Sequence, residues 1–168
     1  MGLVKTLHVV GFKNSGKTTL LTYWIRLAKE QGLHVAVIKH HGHGAKLDMP
    51  DEQKDSMQYI SSGADTSLVA GGGFTQHILQ KQLSYEQLIQ LAKWEAPDVI
   101  LVEGYKDEVG EKVVLVRERD DWDSLQSLEQ IVLVVGLDEE LVHCEQIVHR
   151  EERSALDQWF LNWLQDHT

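Results

Sequence analysis

Short apolar runs alternate with amphipathic stretches along most of the chain. Residues 3–10 are rich in aliphatic and β-branched side chains, and residues 17–31 place apolar side chains at helical spacing. The same two patterns predict strands over residues 33–39, 66–70, 74–80, 98–103, 112–117 and 130–135. They predict helices over residues 51–63, from Ser84 to about Glu95, and over residues 151–166. Strands interleaved with helices in this way predict a three-layer α/β fold with a mostly parallel sheet, and we expect residues 1–168 to form one domain.

The last predicted helix carries a stripe of large apolar side chains on one face. The stripe consists of Leu156, Trp159, Phe160, Trp163 and Leu164. Such a stripe is typical of a helix that packs on a core. A surface for a dimer or another partner is the alternative.

Composition narrows the class of partners. The chain has a formal net charge of −10, from 26 acidic and 16 basic side chains. That balance argues against a nucleic-acid or anionic membrane surface, because both need a basic footprint. The single cysteine, Cys144, excludes an internal disulfide and a cysteine-based zinc site within one chain. No apolar run approaches the ~18–20 residues of a membrane helix and no signal-peptide pattern is present, so we expect a cytoplasmic location.

The motif that carries chemistry is GFKNSGKT at residues 11–18, which satisfies G-x-x-x-x-G-K-[ST] between a predicted strand and a predicted helix. Gly11 and Gly16 permit a tight loop whose backbone N–H groups point at phosphate oxygens, at the positive end of the helix. We expect Lys17 to reach the terminal phosphates, Thr18 to ligate Mg²⁺ and Thr19 to contact an inner phosphate. The predicted nucleotide-binding set is Gly11, Lys13, Asn14, Ser15, Gly16, Lys17, Thr18 and Thr19. These features predict a P-loop NTPase-type domain, although Lys13 is equally open to a role as a solvated loop residue.

A P-loop also needs an acidic group near its metal. Glu103 directly follows the apolar residues 99–102 and precedes Gly104. A carboxylate at the C-terminal end of a buried parallel strand points into the crevice where ligands bind in open α/β sheets. Glu103 is therefore predicted to hold Mg²⁺, directly or through water, or to orient an attacking water. Lys17 and Glu103 are the candidate catalytic residues, and a solvated strand-end acid is the alternative for Glu103.

A histidine-rich loop follows the second predicted strand. His40, His41 and His43 lie together there, with Asp48 downstream. Three hypotheses for this loop are open: it contacts phosphate or substrate, it is exposed to solvent, or it binds a structural metal. Asp48 completes the predicted Mg²⁺ set, which is Thr18, Glu103 and Asp48.

The residues alone do not identify the base. The N-K-x-D element that reads guanine in translation-type GTPases is absent, since the only asparagines are Asn14 and Asn162. Asp138, after a late strand, could accept from a guanine edge or could be an exposed turn acid. The chain has five arginines and no arginine-rich lid, which argues against a small-metabolite kinase without excluding one. Arg117 and Arg119 follow a strand and could reach the crevice.

Four sequence blocks, in order over roughly residues 4–117, resemble the molybdopterin-guanine dinucleotide biosynthesis protein B family. The blocks are GFKNSGKTTL, VIKHHGHG with the later LD and KDS, GAD, and DVILVEGYK. The resemblance implies a GTP-binding P-loop protein that uses Mg²⁺ and is often a homodimer. It implies assistance to the nucleotidyltransferase that attaches a guanine nucleotide to molybdopterin in molybdenum cofactor synthesis, with weak GTPase activity at most.

Carried over residue by residue, the resemblance assigns phosphate binding to residues 11–19 and the acidic strand-end role to Glu103. It assigns a third block to Lys54, Asp55 and Ser56. The chain departs from the family's Asp-x-Pro-Gly-Lys-Asp-Ser run, because residues 51–53 separate its Asp48-Met49-Pro50 from that block. An acid that often follows the histidines is also replaced, here by Gly44-Ala45. Both departures alter the loop around Asp48.

Overall fold

Six parallel strands form the sheet of the larger of two compact units. The computed structural model describes residues 4–42, 46–136 and 147–166. The first unit comprises residues 1–40 and 85–168, and the second comprises residues 41–84. The strands of the first unit are β1 Lys5–Val10, β2 Val35–Lys39, β5 Val99–Glu103, β6 Glu111–Leu115, β7 Ile131–Gly136 and β8 Ile147–His149. Its helices are α1 Lys17–Glu30, α3 Tyr85–Ala92, the 3₁₀ turn Lys93–Glu95, α4 Arg119–Leu125 and α5 Arg153–Gln165.

The sheet runs in the order β2-β5-β1-β6-β7-β8, and every adjacent pair is parallel. Side chains alternate between its two faces, as they must in a strand. In β5, Val99 and Leu101 join the cluster beneath α1 and α5, whereas Ile100 and Val102 join the cluster beneath α3. A third cluster packs beneath α4. Helices therefore cover both faces, which confirms the predicted three-layer α/β fold with a mostly parallel sheet.

The apolar stripe of α5 is core, as predicted. Leu156, Phe160 and Trp163 are buried, and Trp159 and Leu164 pack against the same cluster. The Phe160 ring stacks on Trp24 of α1, with centroids 4.6 Å apart and planes 4° from parallel. The two helices on this face of the sheet are thus joined through an aromatic stack.

The second unit contains one helix and one hairpin. Its elements are α2 Asp55–Ser61, β3 Thr66–Gly71 and β4 Phe74–Leu79, with the two strands antiparallel. Its small core is Met57, Ile60 and Ile78. Leu68, Val69 and Phe74 are exposed on the hairpin. The expectation of one domain over the whole chain stays a prediction.

Three local differences separate the predicted from the observed elements. Helix α2 begins at Asp55 rather than at residue 51, because the Asp51 carboxylate accepts a hydrogen bond from the Gln53 N–H at 2.8 Å. Such an Asx turn competes with helix formation. Helix α4 and strand β8 were not predicted, since seven and three residues are too short for a clear period. Within the described parts of the chain, no helix combines the length and apolarity needed to span a bilayer.

Candidate nucleotide-binding site

The loop between β1 and α1 forms a tight turn shaped as a candidate anion cradle. A Cβ on Gly11 would meet the Ser15 Oγ at 2.7 Å and the Leu115 carbonyl oxygen at 2.8 Å, so only glycine fits there. Asn14 and Gly16 have positive φ angles of 62° and 92°. No side chain among the described residues caps the N-terminus of α1, and its first turn contains no acidic residue. The free N–H groups and the helix dipole are consequently available to an anion.

Two polar side chains of the loop are prepared for a ligand. The Lys17 Nζ donates to the carbonyl oxygens of Gly11 at 3.0 Å and Phe12 at 2.7 Å, and so lies across the loop. Burial lowers the pKa of Lys17, and the nearby Glu103 carboxylate offsets only part of that lowering. The Ser15 Oγ is buried and has no hydrogen-bond partner in the described part of the chain. An oxygen-rich ligand in the cradle would satisfy these donors.

Glu103 lies on the same face of the sheet as Val99 and Leu101, because side chains alternate between the two faces along β5. It is 9% exposed. Its Oε2 accepts a hydrogen bond from the Thr18 Oγ1 at 3.0 Å. Carboxylate and hydroxyl oxygens are the ligands that Mg²⁺ takes beside phosphate groups. The Thr18–Glu103 pair therefore fits the donor set of a P-loop magnesium site.

Lys39 belongs to this cluster and was not predicted. Its Nζ lies 3.3 Å from the Glu103 Oε1, because β2 and β5 are neighbours and Lys39 pairs in register with Glu103. The rule that parallel strands end at one edge of the sheet, already applied to Glu103, would have located Lys39 as well. Lys17, Lys39 and Glu103 together leave a net positive charge beside the loop.

Arg117 contacts the tip of the loop, and its reach into the crevice stays a prediction. Its Nη1 donates to the Lys13 carbonyl oxygen at 3.1 Å. Its Nε and Nη2 bind the two Asp121 carboxylate oxygens at 2.9 and 3.1 Å. This bidentate pair raises the pKa of Arg117 and lowers that of Asp121. The side chains of Lys13 and Asn14 are exposed, as is Thr19 at the next turn.

The remaining predicted site residues belong to the second unit or lie outside the described residues. Asp48 is exposed and belongs to the second unit, where Asp55 begins α2 directly after Lys54. His43 and Asp138 lie outside the described residues. Among the residues that are described, no three His, Cys, Asp or Glu side chains come together as a metal site would require. The magnesium role of Asp48 stays a prediction.

The first unit has the features of a P-loop NTPase-type fold. Its sheet is parallel, a G-x-x-x-x-G-K-[ST] loop follows the central strand β1, and an acidic residue ends the adjacent strand β5. The family model of molybdopterin guanine dinucleotide synthesis protein B matches residues 6–137. The chain belongs to this family, which confirms the resemblance drawn from the sequence.

Named relatives and solved structures agree with this assignment. A probable molybdopterin-guanine dinucleotide biosynthesis adapter protein of Bacillus subtilis (strain 168) is 34% identical over 153 residues, which cover 90% of this chain and 88% of that protein. The adapter protein of Haemophilus influenzae is 28% identical over 163 residues, which cover 96% of this chain and 90% of that protein. The crystal structure of a MobB protein homologue from Bacillus stearothermophilus superimposes with a TM-score of 0.78 at 31% identity. That match covers 96% of this chain and 98% of the homologue.

Proposed function

We propose that this protein binds GTP with Mg²⁺ at residues 11–19 and acts in the cytoplasm as an adapter in molybdopterin guanine dinucleotide biosynthesis. In this role it assists the nucleotidyltransferase. Family membership supports the biosynthetic role, and relatives covering most of the chain are named adapter proteins. The observation that carries nucleotide binding is the 3.0 Å contact between Thr18 and Glu103 at the mouth of the loop.

Each residue of the site has a role in this proposal. The backbone N–H groups of the loop and the start of α1 hold the phosphates, and Lys17 leaves the Gly11 and Phe12 carbonyls to bind the terminal phosphate. Thr18 and Glu103 would hold Mg²⁺, which would supply positive charge to neutralise the phosphates. Lys39 and Arg117 add positive charge at the same edge. Hydrolysis is at most slow, because the proposed task is to hold the nucleotide for another enzyme.

Replacement of Lys17 by Ala tests nucleotide binding directly. One or two charge-assisted hydrogen bonds to phosphate are worth about 1.5–3 kcal/mol, so GTP affinity should fall by about 10- to 150-fold. Isothermal titration with Mg²⁺ and GTP measures this loss, and Lys93→Ala, which removes an exposed lysine, is the matched control. Unchanged affinity in Lys17→Ala would refute the proposed phosphate site.

A labelled γ-phosphate separates the proposal from a small-metabolite kinase, the alternative function. We expect the label to stay on GTP or to pass slowly to water. Transfer to a small acceptor would instead establish a kinase. Glu103→Gln should slow any turnover more than it weakens binding, whereas equal losses would mean that Glu103 mainly holds the metal in the ground state.

The adapter role and the homodimer need separate measurements. Capture of a molybdopterin nucleotidyltransferase by the GTP-loaded protein, and not by Lys17→Ala, would support assistance to that enzyme. The exposed apolar residues Val69 and Phe74, which share one face of the hairpin, support a homodimer, because a second copy would remove them from water. Sedimentation equilibrium should give twice the 19.1 kDa chain mass. A monomer at micromolar concentration would exclude the homodimer.

A further inference from the structure

A cavity of about 270 Å³ lies directly beside the phosphate loop, within the first unit. Thr19 and Leu20 of α1 form one wall, and Leu115 and Val135 at the ends of β6 and β7 form another. Arg150 and Arg153 enclose it from the side of α5. Pockets that hold a whole drug-sized ligand measure about 300–1,000 Å³, so this space suits one part of a nucleotide.

Arg150 is held in place and still has an unused donor. Its backbone N–H donates to the Gly136 carbonyl oxygen at 2.8 Å, and its Nη2 donates to the Val116 carbonyl oxygen at 3.2 Å. Its Nε is buried and lacks a hydrogen-bond partner among the described residues. A buried donor without an acceptor is unfavourable, and a ligand acceptor in the cavity would remove that cost.

Arg153 is engaged differently. Its guanidinium lies over the Tyr23 ring, 4.3 Å from the ring centroid. This cation–π contact occupies Arg153, so among the described residues Arg150 is the arginine with a buried, unpaired donor. Apolar walls, a fixed cationic donor and direct continuity with the phosphate loop are the features expected where a purine base is bound.

We propose that this cavity holds the base of the bound nucleotide and that Arg150 selects a 6-oxopurine by donating to its O6 and N7 atoms. The inference rests on the proposed function, because it takes the phosphates to lie on residues 11–19. Guanine presents two acceptors, O6 and N7, to a fork of arginine donors, whereas adenine presents a donor at position 6 that would face the guanidinium. The apolar side chains of Leu115, Val135 and Leu156 would cover the faces of the ring. Guanine selection then needs no N-K-x-D element.

Nucleotide analogues test, in the unmodified protein, whether the O6 and N7 atoms of the base are recognised. ITP retains O6 and N7 and lacks only the 2-amino group, so its affinity should equal that of GTP within about threefold. ATP and 7-deaza-GTP should each bind about 10- to 100-fold more weakly, since each loses an acceptor that Arg150 pairs. Equal affinities for GTP and ATP would overturn the proposal. A loss for ITP as large as that for ATP would also overturn it, because the 2-amino edge would then be the one that is read.

A variant series locates the selectivity on Arg150. Arg150→Met should lower the GTP-to-ATP affinity ratio by about tenfold or more, and Arg150→Lys should restore part of it. Arg26→Met, on the exposed face of α1, is the matched control and should leave the ratio unchanged. Melting temperatures show whether each variant is folded, and the analogue series decides the question if Arg150→Met does not fold.

Inorganic tripolyphosphate separates the two proposals. If Lys17→Ala weakens GTP binding as expected but Arg150→Met leaves the GTP-to-ATP affinity ratio unchanged, the base site is wrong and the phosphate site stands. If neither GTP nor tripolyphosphate binds the wild-type protein, the proposed function itself fails. If Arg150→Met weakens tripolyphosphate as much as GTP, the cavity binds an anion and not a base, which would also overturn the inference.

Discussion

Replacement of Phe160 by Ala should destabilise the first unit more than any surface change on the same helix. Phe160 is fully buried between Trp24 and Trp163, with ring centroids 4.6 and 6.0 Å away. Removing about 150–250 Å² of buried ring at ~25 cal/mol/Å² corresponds to about 4–6 kcal/mol, and measured Phe→Ala changes in cores are about 3–5 kcal/mol. We therefore expect the free energy of unfolding to fall by about 4 kcal/mol. This is a large share of the ~5–15 kcal/mol typical of a domain.

Urea unfolding followed by far-ultraviolet circular dichroism measures this change. The midpoint should fall while the dependence on urea stays the same, because the surface exposed on unfolding hardly changes. Gln158→Ala, an exposed position on α5, is the control and should change the free energy of unfolding by less than about 0.5 kcal/mol. A loss below about 1 kcal/mol in Phe160→Ala would refute the claim that this aromatic stack joins α5 to α1.

Two further predictions concern pH. Burial raises the pKa of Tyr85 to about 12, so the folded protein keeps a proton that the unfolded chain loses, and stability should fall as pH rises from about 10 to about 12. Tyr85→Phe should flatten that fall in alkaline urea titrations and the exposed Tyr59→Phe should not; equal slopes would contradict the prediction. Arg117 lowers the pKa of Asp121 below 3.8, so the stability lost in Asp121→Asn should be full above this value and shrink as pH falls below it. Asp123→Asn is the exposed control, and a loss independent of pH would count against the Arg117 pairing.

Local sequence patterns were enough for the core of the fold. Continuous apolar runs predicted β1 and β5 close to their observed bounds, because strands buried on both faces are apolar throughout. Helical spacing predicted α1 and α5, because each spans enough residues to show its period. The glycine-rich loop was equally predictable, since its glycines, Lys17 and Thr18 all lie within eight consecutive residues. Glu103 followed from its position at the end of a buried strand.

The start of α2 and the presence of α4 were not predictable, because each depends on only a few residues. Helix α2 begins after the Asx turn at Asp51, and α4 is too short to show a clear apolar period. Neither is visible in a pattern averaged over a window of ten or more residues.

The sequence by itself determined that the chain forms strands and helices in alternation, and that a G-x-x-x-x-G-K-[ST] loop follows the first strand. Only the tertiary structure decided which distant residues lie beside that loop. Lys39 meets Glu103 because β2 lies beside β5. Arg150 lines the same cavity as Thr19 because it directly follows β8, which pairs with β7. Sheet order and helix packing are set by burial of apolar faces summed over the whole first unit, and no local spacing encodes them.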